Sequence, residues 1–237
     1  MNVWGLVTAR GGSKGFPNKN MHPLCGKPMI LWTLEAAGAS KLLSEVLVST
    51  DHPAIADLCR DAGYEVPFIR PSSLAQDDTP HGEVIHHALE WRVSTGRSLP
   101  EYLLLLQPTS PLRTAGDIDG AIELARERDA DAVVSVCETR AHPEWMKIMD
   151  GSGKLKPFLP GGGNGARRQD LSPVYVLNGA LYLMKSTLWL RHKTFHVEGA
   201  LGFIMPRERS VDVDDYMDAA LCDLLLRNRP GAQGGDL

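Results

Sequence analysis

Cysteine is scarce in this chain, and none of it is paired by spacing: Cys25, Cys59, Cys137 and Cys222 stand far apart, without a C-x-x-C pair or an accompanying histidine pattern. That excludes a zinc module and a disulfide framework and leaves reduced thiols as the expectation. Positive charge is not in excess either. A net charge of -4 offers no general attraction to nucleic acid or to an anionic membrane, so any anion must be held by a local cluster, and the expected partner is a small anion. A basic leader followed by a long apolar segment is missing, and no run approaches bilayer-spanning length; the expectation is a soluble cytoplasmic protein. No internal repeat is present. What remains, 237 residues with 43% hydrophobic content, suits one packed domain.

Two nucleotide fingerprints are missing as well. No Gly-Lys-Ser/Thr follows a spaced glycine, and no G-x-G-x-x-G occurs, which argues against a P-loop ATPase and a Rossmann dehydrogenase. In their place the apolar run Val3 to Val7 leads into Ala9-Arg10-Gly11-Gly12-Ser13-Lys14-Gly15-Phe16-Pro17-Asn18-Lys19-Asn20. Glycines leave room for backbone N–H groups to converge on one phosphate, and Arg10, Lys14 and Lys19 surround it with charge. The stretch reads as an anion cradle at a strand end.

Short apolar runs recur at Glu45 to Ser49, Glu65 to Ile69, Tyr102 to Leu106 and Ala132 to Val136. Helical spacing fills the gaps at Ile30 to Ala39, Pro53 to Ala62, Glu83 to Arg92 and Asp117 to Arg128, an alternation that indicates βαβ units and a mostly parallel sheet. Ligands of such sheets sit outside the strand C-terminal ends, where the first loop, Ser49-Thr50-Asp51 and Gln107-Pro108-Thr109-Ser110 all fall. The rhythm breaks over Cys137 to Pro173, which is polar and glycine-rich; an arm or subdomain is expected there. Afterwards come a strand over Val174 to Met184, a short helix near Ser186 to Arg191, a strand near Leu201 to Met205 and a last helix from Asp215 to Leu226.

Further constellations carry chemistry. In Ser210-Val211-Asp212-Val213-Asp214-Asp215, alternation puts Asp212 and Asp214 on one face of an extended backbone, which suits a shared divalent cation; Asp214 or Asp215 also suits the N-cap of the last helix, and both readings can hold at once. In Leu105 to Arg113 two prolines fix a loop that offers Gln107, Thr109 and Ser110 as hydrogen-bonding groups and Arg113 as a charge, and the glutamine and arginine call for a ligand. Arg167 and Arg168 suit a carboxylate by fork geometry, or stand as solvated surface charges.

In order and spacing, these segments resemble the acylneuraminate cytidylyltransferase family, the CMP-sialic acid synthetases with their legionaminic and pseudaminic acid relatives. The motifs are A-R-G-G-S-K-G-F-P-N-K-N at 9 to 20, V-S-T-D ending at Asp51, R-P-S-S-L-A-Q-D-D-T-P from Arg70, L-L-Q-P-T-S-P-L-R from Leu105, R-R-Q-D-L at 167 to 171, L-N-G-A-L-Y at 177 to 182 and S-V-D-V-D at 210 to 214. The resemblance, covering roughly Val3 to Asp223, implies an α/β fold: a single Rossmann-like, glycosyltransferase-A-like nucleotidyltransferase domain over residues 1–237, with a dimerisation arm inserted at about 138–175. It implies transfer of CMP from CTP to the anomeric hydroxyl of a nine-carbon sugar acid, with Mg²⁺ or Mn²⁺ as cofactor.

Residue by residue, the resemblance implies Arg10 and Lys19 on the triphosphate and Ala9, Gly11, Gly12 and Ser13 as loop contacts, with Asn20, Arg70 and Thr79 near the nucleoside. Asp212 and Asp214 would bind the metal and, with Arg10 and Lys19, form the catalytic set. Gln107, Asn178 and Tyr182 would meet the sugar, and Lys147 and Arg168 would reach the neighbouring subunit's site in a homodimer. No nucleic acid or membrane partner is implied. Two departures stand out: Pro80-His81-Gly82 replaces serines that relatives often carry, and Trp145 replaces a smaller residue. The alternatives are transfer to another acid such as Kdo and a CTP-sensing module without turnover.

Overall fold

Tyr102–Leu106 is buried at every position, the pattern of a strand covered on both faces, and it forms an inner strand of a six-stranded sheet. The structure, a computed structural model, describes residues 1–12, 15–76, 78–162, 165 and 167–229. Apart from a two-residue antiparallel pair, Pro23–Leu24 with Lys27–Pro28, the strands in chain order are β1 (Val3–Ala9), β2 (Glu45–Thr50), β3 (Tyr102–Leu106), β4 (Ala132–Glu138), β5 (Lys147–Met149), β6 (Leu155–Pro157), β7 (Tyr175–Lys185) and β8 (Leu201–Ile204). The helices are α1 (Met29–Gly38), α2 (Pro53–Asp61), α3 (His81–Ser94), α4 (Ala115–Glu127), α5 (Ser186–His192) and α6 (Tyr216–Arg227).

The six-stranded sheet runs β8-β4-β7-β3-β1-β2, and only β7 is antiparallel to its neighbours. Strand alternation divides the core. Val3, Val7, Leu104 and Leu106 face α1, α2 and α4, whereas Trp4, Leu6, Leu103 and Leu105 face α3 and α5. A third apolar cluster, with Phe16, Leu24, Leu112 and Val213, seats α6 beside the end of the sheet. Asp215 caps α6, its Oδ1 accepting from the N–H groups of Met217 (2.8 Å) and Asp218 (3.0 Å). The capping reading of the aspartate run therefore falls to Asp215 and leaves Asp212 and Asp214 for other work.

The strand expected at Glu65 to Ile69 does not form; only isolated bridges join Leu47 to Glu65 and Thr50 to Ile69. Pro67 sits between them and has no N–H to donate to a ladder. Among the described residues the stretch after Cys137 holds no βαβ unit: β4 and β7 continue past the core as an antiparallel pair, Glu138 opposite Tyr175, and lead to the β5–β6 ribbon. No helix among the described residues is long and apolar enough to cross a membrane. All four cysteines are free thiols, as expected.

Candidate active site

A cleft of about 300 Å³ opens at the C-terminal ends of β1 and β3, lined in part by Arg10, Gly12, Lys19, Asn20, Arg70, Thr79 and Gln107. Most of the residues expected at the nucleotide thus share one wall-to-wall space, as the parallel strands dictate. Phe16, buried in the α6 cluster, anchors the far side of the first loop. Asn18 turns the chain with a φ of 55°, and Asn20 Nδ2 donates to the Arg10 carbonyl at 2.9 Å. Ala9 is the buried end of β1. Ser13 and Lys14 lie outside the described residues.

Gly11 is held from behind. Its N–H donates to Asp51 Oδ1 (3.2 Å), and a Cβ at this position would lie 2.4 Å from the His52 ring, so only glycine fits. Asp51 also receives Arg70 Nη2 at 3.2 Å, while Arg70 Nη1 reaches the Ser49 carbonyl. Burial lowers the Arg70 pKa, and Asp51 opposes the shift. The Gly11 N–H is therefore spent on the protein, and Asp51 is a loop-positioning residue that joins two expected nucleotide contacts. Thr79 turns its hydroxyl to the Gln76 N–H (3.0 Å), and Arg10 Nη1 donates to the Gln76 carbonyl at 3.4 Å.

The C-terminal carboxylates meet this cleft through Lys19. Its Nζ donates to the Val213 carbonyl (2.8 Å) and to Asp214 Oδ1 (3.2 Å), and Val213 N–H in turn bonds the Thr109 carbonyl at 2.8 Å. Asp212 is half-buried and hydrogen-bonded to Thr109, yet its Oδ1 is enclosed without any partner. Burial raises the Asp212 pKa first and the Asp214 charge raises it further, with Thr109 and Lys19 opposing. An orphaned carboxylate oxygen beside a second carboxylate suits a hard divalent cation, which fits the expected Mg²⁺ or Mn²⁺. Among the described residues no group of three or more His, Cys, Asp or Glu gathers, so phosphate oxygens and water must complete such a shell.

A β-bulge brings Gln107 and Asp212 together. Register between β4 and β7 shifts between Val134 and Val136, opposite Asn178-Gly179, and Gly179 takes a φ of 73°. The groups freed by the bulge are met by side chains: Asn178 Oδ1 accepts from Ser135 Oγ (2.5 Å) and the Ala180 N–H (3.2 Å), and the Leu181 N–H donates to Ser135 Oγ at 2.8 Å. Asn178 Nδ2 donates to Ser210 Oγ at 2.9 Å, so this buried side chain serves the bulge rather than opening into the cleft. A Cβ on Gly179 would stand 3.0 Å from both Asp212 Oδ2 and Gln107 Oε1. Gly179→Ala is expected to cost about 1 kcal/mol or more through its positive φ. By displacing Asp212 and Gln107 it should also slow turnover roughly tenfold or more; a melt and a turnover assay check both, and unchanged turnover would refute the placement.

Arg113 departs from its reading as a ligand-binding charge. It is 1% exposed, and its guanidinium donates to the carbonyls of Ala180 (2.6 Å) and Gln107 (3.1 Å) and to Thr33 Oγ1 at 2.8 Å. Burial lowers its pKa to about 9, with Asp117 opposing.

A second cleft of about 290 Å³ adjoins the first, with an apolar side of Ile85, Leu105, Trp189 and Phe195 and polar groups from Tyr182, Lys193 and His196. Burial raises the Tyr182 pKa, and the charge of Asp212 adds to it. Gln107 and His81 line both clefts. His81 was not among the expected site residues; its sequence signals were its place just before a predicted helix and its standing where relatives often carry serine. Lys147 and Arg168 line neither cleft of their own chain. Arg168 pairs with Glu138 (3.3 Å), and Lys147 lies on the β5 ribbon.

A family model described as Cytidylyltransferase matches residues 4–147, which carry the loop at 10–20, the Asp51–Arg70 pair and Gln107. The chain belongs to the cytidylyltransferase family. Among curated relatives it is 36% identical over 215 residues to the N-acylneuraminate cytidylyltransferase of Streptococcus agalactiae, an alignment that takes in 90% of this chain and 50% of that protein. The chain thus spans about half the length of that relative. It is 34% identical over 236 residues to the CMP-N,N'-diacetyllegionaminic acid synthase of Legionella pneumophila, covering 95% of this chain and 97% of that one. The solved structure of a CMP:2-keto-3-deoxy-manno-octonic acid synthetase complexed with CTP superposes with a TM-score of 0.69 at 15% identity, covering 95% and 98% of the two chains. That likeness shows a shared fold.

Proposed function

We propose that this protein transfers CMP from CTP to the anomeric hydroxyl of a nonulosonic acid and releases pyrophosphate. The observation that carries the reading is a pair of adjoining clefts with Gln107 at their junction, one bearing the cations Arg10, Lys19 and Arg70 and the other a half-apolar space with Tyr182. Similarity to the N-acylneuraminate and diacetyllegionaminic acid relatives supports the class of acceptor. In this reading Arg10 and Lys19 hold the phosphates and offset charge that gathers on the departing pyrophosphate, while Gln107 orients the acceptor. Asp212 and Asp214 would hold Mg²⁺ or Mn²⁺, whose chemistry is to neutralise phosphate charge and orient it.

The arm is proposed to dimerise. Ile148, Met149, Leu155 and Phe158 are each more than half exposed there, an apolar surface that a second copy of the chain would cover. Docking of this kind would bring Lys147 and Arg168 to the neighbouring site. Free thiols and the lack of a spanning helix among the described residues support a cytoplasmic location.

Pyrophosphate release from CTP and Mg²⁺ against sialic, legionaminic, pseudaminic and Kdo acids is the direct test. Release with one nonulosonic acid, and none with ATP, GTP or UTP, is the expected result; release only with Kdo would move the acceptor, and CTP binding without release for any acid would favour a sensing module.

A further inference from the structure

We infer that His81 is the general base that takes the proton from the acceptor hydroxyl, an inference that rests on the two-cleft reading of CMP transfer. His81 and Gln107 are the residues that line both clefts, so a bond formed between molecules in the two spaces is made beside this imidazole. His81 is the first residue of α3, and the residue after it is pinned: a Cβ on Gly82 would lie 2.7 Å from the Lys193 carbonyl. The ring is fixed as well, its Nε2 standing 2.9 Å from Thr8 Oγ1 on β1. With Nε2–H donating to Thr8, the lone pair falls on Nδ1, which has no hydrogen-bond partner among the described residues.

The surroundings favour a neutral ring. Arg70, Arg10 and Lys19 line the first cleft with it, Lys193, His196 and Tyr182 line the second, and no carboxylate lines either among the described residues. The residue as a whole is exposed, but the cleft walls desolvate its ring and lower the His81 pKa, and Arg70 lowers it further. The α3 N-terminus opposes a proton on the ring in the same direction. The nearby carboxylates, Asp212 and Asp214, are committed to Lys19 and the cation, which leaves His81 as the base common to both spaces.

The step balances. Nδ1 accepts the proton of the anomeric hydroxyl as that oxygen bonds to the α-phosphorus of CTP. The bond from the α-phosphorus to its bridging oxygen breaks, and the electron pair leaves on pyrophosphate. The imidazolium then loses its proton to water.

His81→Gln keeps a polar side chain toward Thr8 but removes the base. It is expected to lower kcat about 100-fold or more. The Kd for CTP, measured by calorimetry, should stay within about threefold. The wild-type kcat should fall as pH drops through the His81 pKa, which lies below the usual imidazole range, and the variant should lose that acid limb. His81→Ala should regain turnover with added imidazole, a rescue that a packing role would not produce. A His81→Gln enzyme with near wild-type kcat and an unchanged acid limb overturns this inference and leaves CMP transfer standing; a wild type that releases no pyrophosphate with any acid overturns both.

Discussion

Asp212→Asn is expected to abolish pyrophosphate release for practical purposes, by roughly 10² to 10³, the scale of losing one preorganised electrostatic group. The side chain keeps its volume and its bond to Thr109. What disappears is the negative charge on a buried oxygen that has no protein partner. The same substitution should raise the melting temperature. Burial and the Asp214 charge lift the folded pKa of this carboxyl above its unfolded value, so its favourable contribution is present below that unfolded value and is lost as pH rises through the folded pKa. At neutral pH ionised Asp212 therefore opposes folding, and asparagine relieves the opposition. Adding Mg²⁺ should raise the wild-type melt and leave that of the variant nearly unmoved. Near-normal turnover of the variant in excess Mg²⁺ would remove Asp212 from the mechanism.

Arg113→Met is expected to produce the largest loss of stability, roughly 3 to 5 kcal/mol, because methionine matches the stem and leaves buried acceptors unpaired. The carbonyls of Gln107 and Ala180 and the hydroxyl of Thr33 all lose their donor. For a chain of this length the shift in melting temperature is about 10 °C or more. Turnover at a temperature where the variant is still folded should fall too, since the Gln107 carbonyl and the bulge beside Asp212 share the missing group. Lysine should rescue little, as a single ammonium cannot span acceptors on two segments in the fork geometry of a guanidinium. A melt within 2 °C or so of wild type would show that Arg113 is not the staple that its bonds describe.

The difference between Arg113 and Arg10 shows where legibility ended. Both follow a strand end, and the sequence marks each as a charge near the ligand; only the tertiary pairing with Ala180, 67 residues away, turns Arg113 inward. Helices and sheet strands were legible because their apolar periods are strong, as in α4 and in the leucines of β3. The Glu65 to Ile69 segment misled because its apolar residues outweighed Pro67. The service of Asn178-Gly179 to the bulge was not legible, since it depends on Ser135 and Ser210, which no local pattern connects to it. Arg70 and Thr79 lie at no strand end and were marked only by the resemblance; the first loop and Gln107 were legible because parallel topology gathers strand ends. His81 was not, since its importance lies in bordering two spaces at once.

Lys19 and Val213, which join across the cleft, lie 194 residues apart in sequence. A ribosome making this chain finishes the first loop long before its counterpart across the cleft. Until the segment around Val213 has emerged, the loop has neither its anchor in the α6 cluster nor the carboxylates opposite it. On the proposed reading, the cleft would hold no triphosphate until that segment has joined it.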